Sequence, residues 1–105
     1  MPVKQYQQHQ TSEHAALAAA LAAEWITPQP NNPEPVILEE TVRGQGIAHV
    51  YVVWSEWADL DGVERSEIIM EAAEKKFSPD DVLNISIAMG LTPIEADRLH
   101  IDWRS

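Results

Sequence analysis

The chain has 105 residues, 45% of them hydrophobic, with no cysteine and a formal net charge of −10. This length and composition are typical of one globular domain, and the lack of cysteine excludes disulfides, thiol catalysis and thiolate metal sites. The chain has seventeen acidic and only seven basic residues. It therefore lacks the clusters of Lys and Arg that bind nucleic acids and anionic membranes. The sequence therefore predicts a cytoplasmic protein that binds neither nucleic acid nor membrane.

The chain begins with a polar, glutamine-rich stretch. We interpret residues 1–12 as an N-terminal tail and residues 13–105 as a single domain. Thr11 or Ser12 is the expected cap of the first helix, because a hydroxyl oxygen accepts from the free amides at a helix N-terminus.

An alanine-rich segment over residues 13–26 predicts the first helix, since alanine loses no side-chain entropy in a helix. Its large apolar residues fall on one stripe, which consists of Leu17, Leu21 and Trp25. The linker that follows, residues 27–35, contains four prolines and is predicted to be stiff and extended. Because such a linker can hold the helix away from its own sheet, we predict a homodimer with residues 13–26 in the interface.

Two strands are predicted next, over residues 36–42 and 47–54. The two glycines within residues 43–46 suit a hairpin loop between them. The second strand carries apolar side chains on both faces at residues 50–53, which is typical of a central strand.

The best-marked helix of the chain follows Asp61. Asp61 and Glu64 have the spacing of a capping box, and Lys75 and Lys76 suit the negative end of the helix dipole. The predicted apolar face consists of Val63, Ser66, Ile69, Met70, Ala73 and Phe77.

The residues after this helix predict a short turn and a third strand. Ser78 followed by Pro79 is typical of a helix start, so we expect a helical turn over 78–81. Alternation over 83–89 then predicts a strand, whose apolar side is formed by Leu83, Ile85, Ile87 and Met89.

A helix over residues 79–89 is the alternative interpretation, with 90–92 as the turn of a helix-turn-helix. In both interpretations Thr92 and Glu95 cap the last helix. The preferred fold class is α+β, with a three-stranded sheet (a hairpin plus a third strand) packed by helices in the order α-β-β-α-β-α.

Two segments, VYVVWSEWADLDGVERSEIIMEA and VLNISIAMGLTP, resemble the BolA family, whose fold is related to the type II KH domain. In this resemblance Trp57 takes the family's aromatic position and Leu60 the loop leucine. The Val-Glu-Arg of residues 63–65 opens the helix, and the Thr-Pro of residues 92–93 closes the third strand. The resemblance covers about half of the chain and implies a distantly BolA-like, type II KH-related fold.

The family's histidine ligands are not matched here. Ser66 stands where the family usually has histidine after the arginine, and the third-strand histidine falls on Leu83 or Asn84. The hairpin ligand falls near Ile47, with His49 two residues away. The iron–sulfur and glutaredoxin roles of the family therefore do not transfer, and we predict no cofactor.

The residue types that carry catalysis or bind metals are scattered. The chain has no metal-spaced pair among its histidines, which are His9, His14, His49 and His100. The acidic pairs within residues 38–41 and 78–81 suit an exposed strand and a helix N-terminus better than paired acid–base chemistry. Ser55 and Ser66 do not lie in a nucleophile elbow. We predict no catalytic residue and no metal ligand.

Tryptophan is abundant, with four residues in the chain. Trp54 and Trp57 bracket the loop between the second strand and the helix. Core packing explains both residues, but tryptophan also dominates contact hot spots. The candidate partner-binding residues are therefore Trp54, Trp57, Asp59 and Arg65.

The sequence favours a small, acidic, non-catalytic module that acts through protein–protein contacts. One alternative is a KH-like or helix-turn-helix module associated with nucleic acid. The other is a small acid–base hydrolase, which requires carboxylates in differing environments around one pocket.

Overall fold

The computed structural model describes residues 12–104. Its helices are α1 (Ser12–Ile26), α2 (Gly62–Lys76), α3 (Pro79–Leu83) and α4 (Pro93–Arg98), and its strands are β1 (Val36–Val42), β2 (Gln45–Val53) and β3 (Ile87–Leu91). A 3₁₀ turn, Ser55–Trp57, lies between β2 and α2. The α+β class, the three-stranded sheet and the predicted order of elements are confirmed, with α3 as the helical turn expected after Ser78. The predictions for Thr11 and His9 lie outside the described residues.

β2 lies at the centre of the sheet, as its two apolar faces predict. β1 pairs with it antiparallel through a two-residue turn. In that turn Gly44 has a φ of 65°, a left-handed conformation that glycine adopts without a Cβ clash. β3 pairs with β2 in parallel, which the long crossover through α2 and α3 permits.

β3 begins later than the strand predicted over residues 83–89. The Asp81 amide donates to the Ser78 hydroxyl at 3.3 Å, and the helix that this cap starts continues to Leu83. Leu83 is 83% exposed, so the predicted strand face does not include it. Because residues 87–91 form a strand, the helix required for a helix-turn-helix is not formed there.

The apolar side predicted for β3 is not the side that the helices cover. Ala88 packs against the main core, and Gly90 is buried against α2. Ile87 and Met89, on the predicted apolar side, are 38% and 40% exposed. The alternation separates the two sides of the strand but does not indicate which of them the helices cover.

α2 starts with the predicted capping box. The Glu64 amide donates to the Asp61 carboxylate at 2.8 Å, and the Asp61 amide donates to the Glu64 carboxylate at 3.4 Å. The predicted apolar face is partly wrong, because Val63 is 66% exposed although Ile69 and Ala73 are buried. The buried residues of the helix are Arg65, Ile68, Ile69, Ala72 and Ala73. An apolar pattern does not find Arg65, whose burial depends on hydrogen-bond partners.

α1 packs beside α2, and both helices cover the same face of the sheet. The main core joins residues from all three elements: Ala18, Leu21, Ala22 and Trp25 of α1, Ile68, Ile69, Ala72 and Ala73 of α2, and Val50 and Val52 of β2. The apolar stripe of α1 is therefore covered within its own chain. The premise of the dimer prediction, that the linker holds this helix away from its own sheet, is wrong.

Trp25 fixes the C-terminal end of α1. Its ring meets Phe77 edge-on with centroids 5.3 Å apart, and its indole donates to the Glu39 carboxylate at 3.2 Å. The Lys76 ammonium donates to the Trp25 carbonyl at 3.0 Å. These contacts join α1 to β1 and to the end of α2.

A smaller apolar cluster lies on the opposite face of the sheet. Val53, Leu91 and Ala96 form its buried centre, and the residues that pack around it are Val36, Leu38, Ile101 and Trp103. α4 and the C-terminal segment thus cover one end of this face. None of the helices within residues 12–104 has the length and apolar character needed to cross a bilayer.

Candidate functional site

Three of the four candidate partner-binding residues meet at the carboxyl end of β2. Trp57 is fully buried, and its indole donates to the Val52 carbonyl at 2.9 Å. Trp54 packs edge-on against Trp57 with ring centroids 5.1 Å apart. Arg65 reaches the same place from α2, whereas Asp59 lies exposed in the loop and does not join them.

The Arg65 guanidinium connects the loop, β3 and α4. Its Nε donates to the carbonyls of Trp57 and Leu60 at 3.1 and 2.9 Å. Its Nη1 donates to the Gly90 carbonyl at 3.1 Å and to the Glu95 carboxylate at 2.6 Å. These acceptors satisfy a side chain that is only 8% exposed. We conclude that Trp57 and Arg65 position the surrounding segments and present little surface of their own.

Two carboxyl groups near this end of the sheet, those of Glu95 and Asp97, have lowered pKa values. The Thr92 amide, which donates to Glu95 at 2.8 Å, lowers the pKa of that carboxyl, and the Arg65 guanidinium lowers it further against the opposing effect of partial burial. Hydrogen bonds from Arg104 and Trp103 lower the pKa of Asp97. A carboxyl group with a lowered pKa is a poor general acid at neutral pH.

The described histidines lie apart from one another. His49 Nδ1 lies 2.5 Å from the Glu40 carboxylate, and His14 Nε2 lies 3.0 Å from the Glu64 carboxylate. His100 is exposed at the end of α4. Among residues 12–104, no group of three or more His, Asp or Glu side chains has the arrangement of a metal site.

The acidic pairs also have separate contacts. Glu39 accepts from Trp25 on the helical side of the sheet, whereas Glu40 meets His49 on the opposite side. The pair in the first turn of α3 belongs to its capped N-terminus. These positions do not support the paired carboxylates of a hydrolase.

A groove with a volume of about 700 Å³ lies beside α2. Its acidic lining residues are Asp61, Glu67, Glu71 and Glu74. The three glutamates repeat with the period of one helix face, Asp61 caps α2, and Glu71 has an interaction partner. A solvated helix surface explains this groove.

The sheet face opposite α1 and α2 is only partly covered. Two adjacent rows of side chains form what we call the open face: Leu38, Tyr51 and Met89 in one row, and Glu40, His49 and Ile87 in the next. Leu38 and Tyr51 are half-buried, and Ile87 and Met89 are more than a third exposed. The open face is therefore an apolar patch with one histidine–carboxylate pair at its border.

A groove runs between the open face and the C-terminal segment. It has a volume of about 430 Å³, and its lining residues are Leu38, Glu39, Glu40, Tyr51, Ile101 and Asp102. The lining thus combines an apolar floor with the acidic residues Glu40 and Asp102 and contains neither Lys nor Arg. The carboxylate of Glu39, which also borders the groove, accepts from Trp25 on the helical side of the sheet.

The candidate residues chosen from the sequence do not include the open face. Its signal in the sequence is the alternation within β2, where His49 and Tyr51 interrupt a run of valines. Polar or amphipathic side chains at every second position indicate the less covered side of a strand. Residue type alone made the tryptophans candidates for partner binding, although Trp57 has no exposed surface.

Comparisons with protein-family models, with curated proteins and with solved structures each returned no match. The resemblance to the BolA family therefore stays a prediction.

Proposed function

We propose that this chain is a non-catalytic protein-interaction module that contacts its partner through the open face. The observation that carries this proposal is the exposure of Ile87 and Met89, 38% and 40%, beside half-buried Leu38 and Tyr51 on the side of the sheet that α1 and α2 do not cover. A contiguous apolar patch with a polar border is typical of an interaction surface.

The satisfied polar groups support a binding role. Within residues 12–104, every buried side-chain nitrogen or oxygen has a hydrogen-bond partner. Catalytic sites commonly retain polar groups whose partner is the substrate. The cytoplasmic location and the distant BolA-like relationship are part of the same proposal and rest on the sequence.

Photo-cross-linking tests the open face as a contact surface. We would place p-benzoylphenylalanine at Tyr51 and, as a matched exposed control, at Leu83, and irradiate each protein in an extract of its source cells. We expect a discrete protein adduct from position 51 only. The same adduct should disappear when Met89→Glu is added, while Leu83→Glu should leave it unchanged.

Equal adducts from both positions, or none from position 51, would contradict the proposal. Urea unfolding of each variant serves as the folding control. Met89 and Leu83 are both exposed, so each substitution should change the free energy of unfolding by less than about 1 kcal/mol.

Self-association through residues 13–26 is a separate proposal. In the folded chain it must use the outer side of α1 and not the predicted apolar stripe. The inner stripe of α1 is buried in its own chain. The exposed outer side of the same helix carries alanines at helical spacing: Ala16, Ala19, Ala20 and Ala23. Small side chains allow two helices to approach closely.

Sedimentation equilibrium of the full chain at tens of micromolar tests this dimer. A dimer that Ala20→Glu dissociates and Leu83→Glu does not would support it. A monomer at that concentration, or a dimer that is insensitive to Ala20→Glu, would exclude α1 as the interface.

A further inference from the structure

We infer that the open face accepts an amphipathic α-helix of a partner protein, with its apolar side on the sheet and basic residues along its flanks. This inference rests on the proposed function, since it names the chemistry of the partner at the same surface. The shape, the charge and the size of the open face support it.

The shape of the open face suits one helix. The outer strands of a three-stranded sheet lie about 10 Å apart, which is close to the diameter of one α-helix. The other side of the same sheet is covered by α1 and α2. On the side with the open face, α4 and residues 101–103 cover the end with Val53 and Leu91, and Leu38 packs at the edge of that cluster. A layer of helix on the remaining part would complete the three-layer arrangement.

The acidic residues of the groove favour a partner helix with basic residues along its flanks. Glu39, Glu40 and Asp102 line the groove, and no Lys or Arg belongs to that lining. The nearest basic side chain of the C-terminal segment, Arg104, is held by the Asp97 carboxylate at 2.9 and 3.1 Å. The Glu39 carboxylate accepts from Trp25 on the other side of the sheet, so the acidic groups left on the open face are Glu40, whose neighbour is His49, and Asp102. Lysines or arginines beside an apolar helix face would meet these two carboxylates.

The size and charge of the patch argue against a second copy of this chain at the same place. The exposed rows cover roughly 10 Å by 13 Å, far below the ~800 Å² per partner of a standard interface. Two copies face to face would also bring Glu40 and Asp102 of each close to those of the other. One short helix fits the patch, and the resulting complex belongs to the weak, transient class.

Titration of the full ¹⁵N-labelled chain tests the inference. The probe is a synthetic peptide of about 14 residues with leucines at i, i+3, i+4 and i+7 and lysines elsewhere. One control has the same composition in a scrambled order, and a second has glutamate in place of lysine. We expect the first peptide to shift the amide signals of Leu38, Tyr51, Ile87 and Met89, and to bind at least about tenfold more tightly than either control.

Two matched pairs of charge substitutions test whether the acidic residues of the open face contribute to peptide binding. Glu40→Gln with Asp102→Asn should weaken peptide binding about fivefold. Glu13→Gln with Glu74→Gln, which changes the net charge equally but away from the open face, should weaken it less than about twofold.

The inference would be overturned if the peptide did not bind, or if the scrambled or acidic peptide bound equally well. It would also be overturned if the two pairs of charge substitutions weakened binding equally. Amide signal shifts along α2, or only at a strand edge, would place the peptide elsewhere and overturn it too. Cross-linking from position 51 distinguishes these failures. If its discrete adduct persists, the open face binds a partner of other chemistry and the proposed function stands. If the adduct is also missing, both proposals fail.

Discussion

Gly90 lies where β3 passes closest to α2. A Cβ atom built there would lie 2.8 Å from the Arg65 Cβ and 2.9 Å from the Trp57 ring. Neither neighbour can move easily, because Trp57 is tied to Val52 and Arg65 is tied to backbone carbonyls. Glycine is therefore required by a close approach between a strand and a helix.

Gly90→Ala should lower the free energy of unfolding by about 1–3 kcal/mol, the usual result of overpacking a well-packed core. Gly62→Ala is the matched control, because a Cβ at Gly62 meets nothing within 4 Å. That control should cause no loss, or a gain of up to about 1 kcal/mol. Urea unfolding measures both, and equal effects would mean that β3 does not approach α2 as described.

Glu95 provides a pH-dependent contribution to stability. Its pKa is lowered in the folded chain, so its stabilising effect is present above the ordinary glutamate range and is lost as the pH falls through the lowered pKa. The side chain is 40% exposed, and solvent screening keeps the effect modest.

Glu95→Gln should therefore lower stability at pH 7, and the difference from the unmodified chain should shrink as the pH falls from about 6 to about 3. Thermal unfolding across this range measures the difference. Glu74→Gln, a change of the same charge at an exposed position of α2, controls for the general effect of net charge. A constant difference for Glu95→Gln would contradict the assigned role.

At the scale of elements, α1 belongs to the same folded unit as the sheet. Leu21 has no exposed surface, and it belongs to the core cluster that joins α1 to α2 and β2. Leu21→Ala should cost about 2–5 kcal/mol, whereas Leu83→Ala, the same substitution at an 83% exposed position, should change stability by less than about 0.5 kcal/mol. A small effect at Leu21, measured by urea unfolding, would show that α1 is only loosely attached.

Local signals in the sequence predict most of the elements but not how the elements face one another. Asp61 with Glu64, and Thr92 with Glu95, form the capping boxes that their spacing indicates, because these contacts lie within four residues of chain. The faces of β3 depend on which side α2 covers, and that is decided by residues far away along the chain.

The candidate site also depends on contacts between residues that are distant in the sequence. Arg65 was a candidate partner-binding residue, yet distant acceptors on Gly90 and Glu95 hold its side chain in a buried position. The open face follows from the register of three strands, in which Leu38, Tyr51 and Met89 become neighbours. No short stretch of sequence contains that information.

At the scale of the whole molecule, few basic side chains offset the net charge of −10. Among the described residues Arg43, Lys75 and Arg98 are exposed, and they lie on separate segments. Arg65 is buried, Arg104 is paired with Asp97, and the Lys76 ammonium binds the Trp25 carbonyl. The full chain should therefore show no measurable binding to duplex DNA at physiological salt. Fluorescence anisotropy with a labelled duplex is the test, and a micromolar affinity that falls with added salt would contradict the prediction.

The mixed pairing of the sheet also sets an order in which the chain can assemble. The hairpin of β1 and β2 closes through two residues. β3 reaches β2 only after α2 and α3 have folded back, and such distant closure is slow.

We therefore expect β3 to dock after the transition state. Gly90→Ala should then leave the folding rate nearly unchanged and raise the unfolding rate. Gly44→Ala, which strains the local turn, should instead slow folding. Stopped-flow kinetics in urea would separate the two, and a slower folding rate for Gly90→Ala would place β3 in the nucleus.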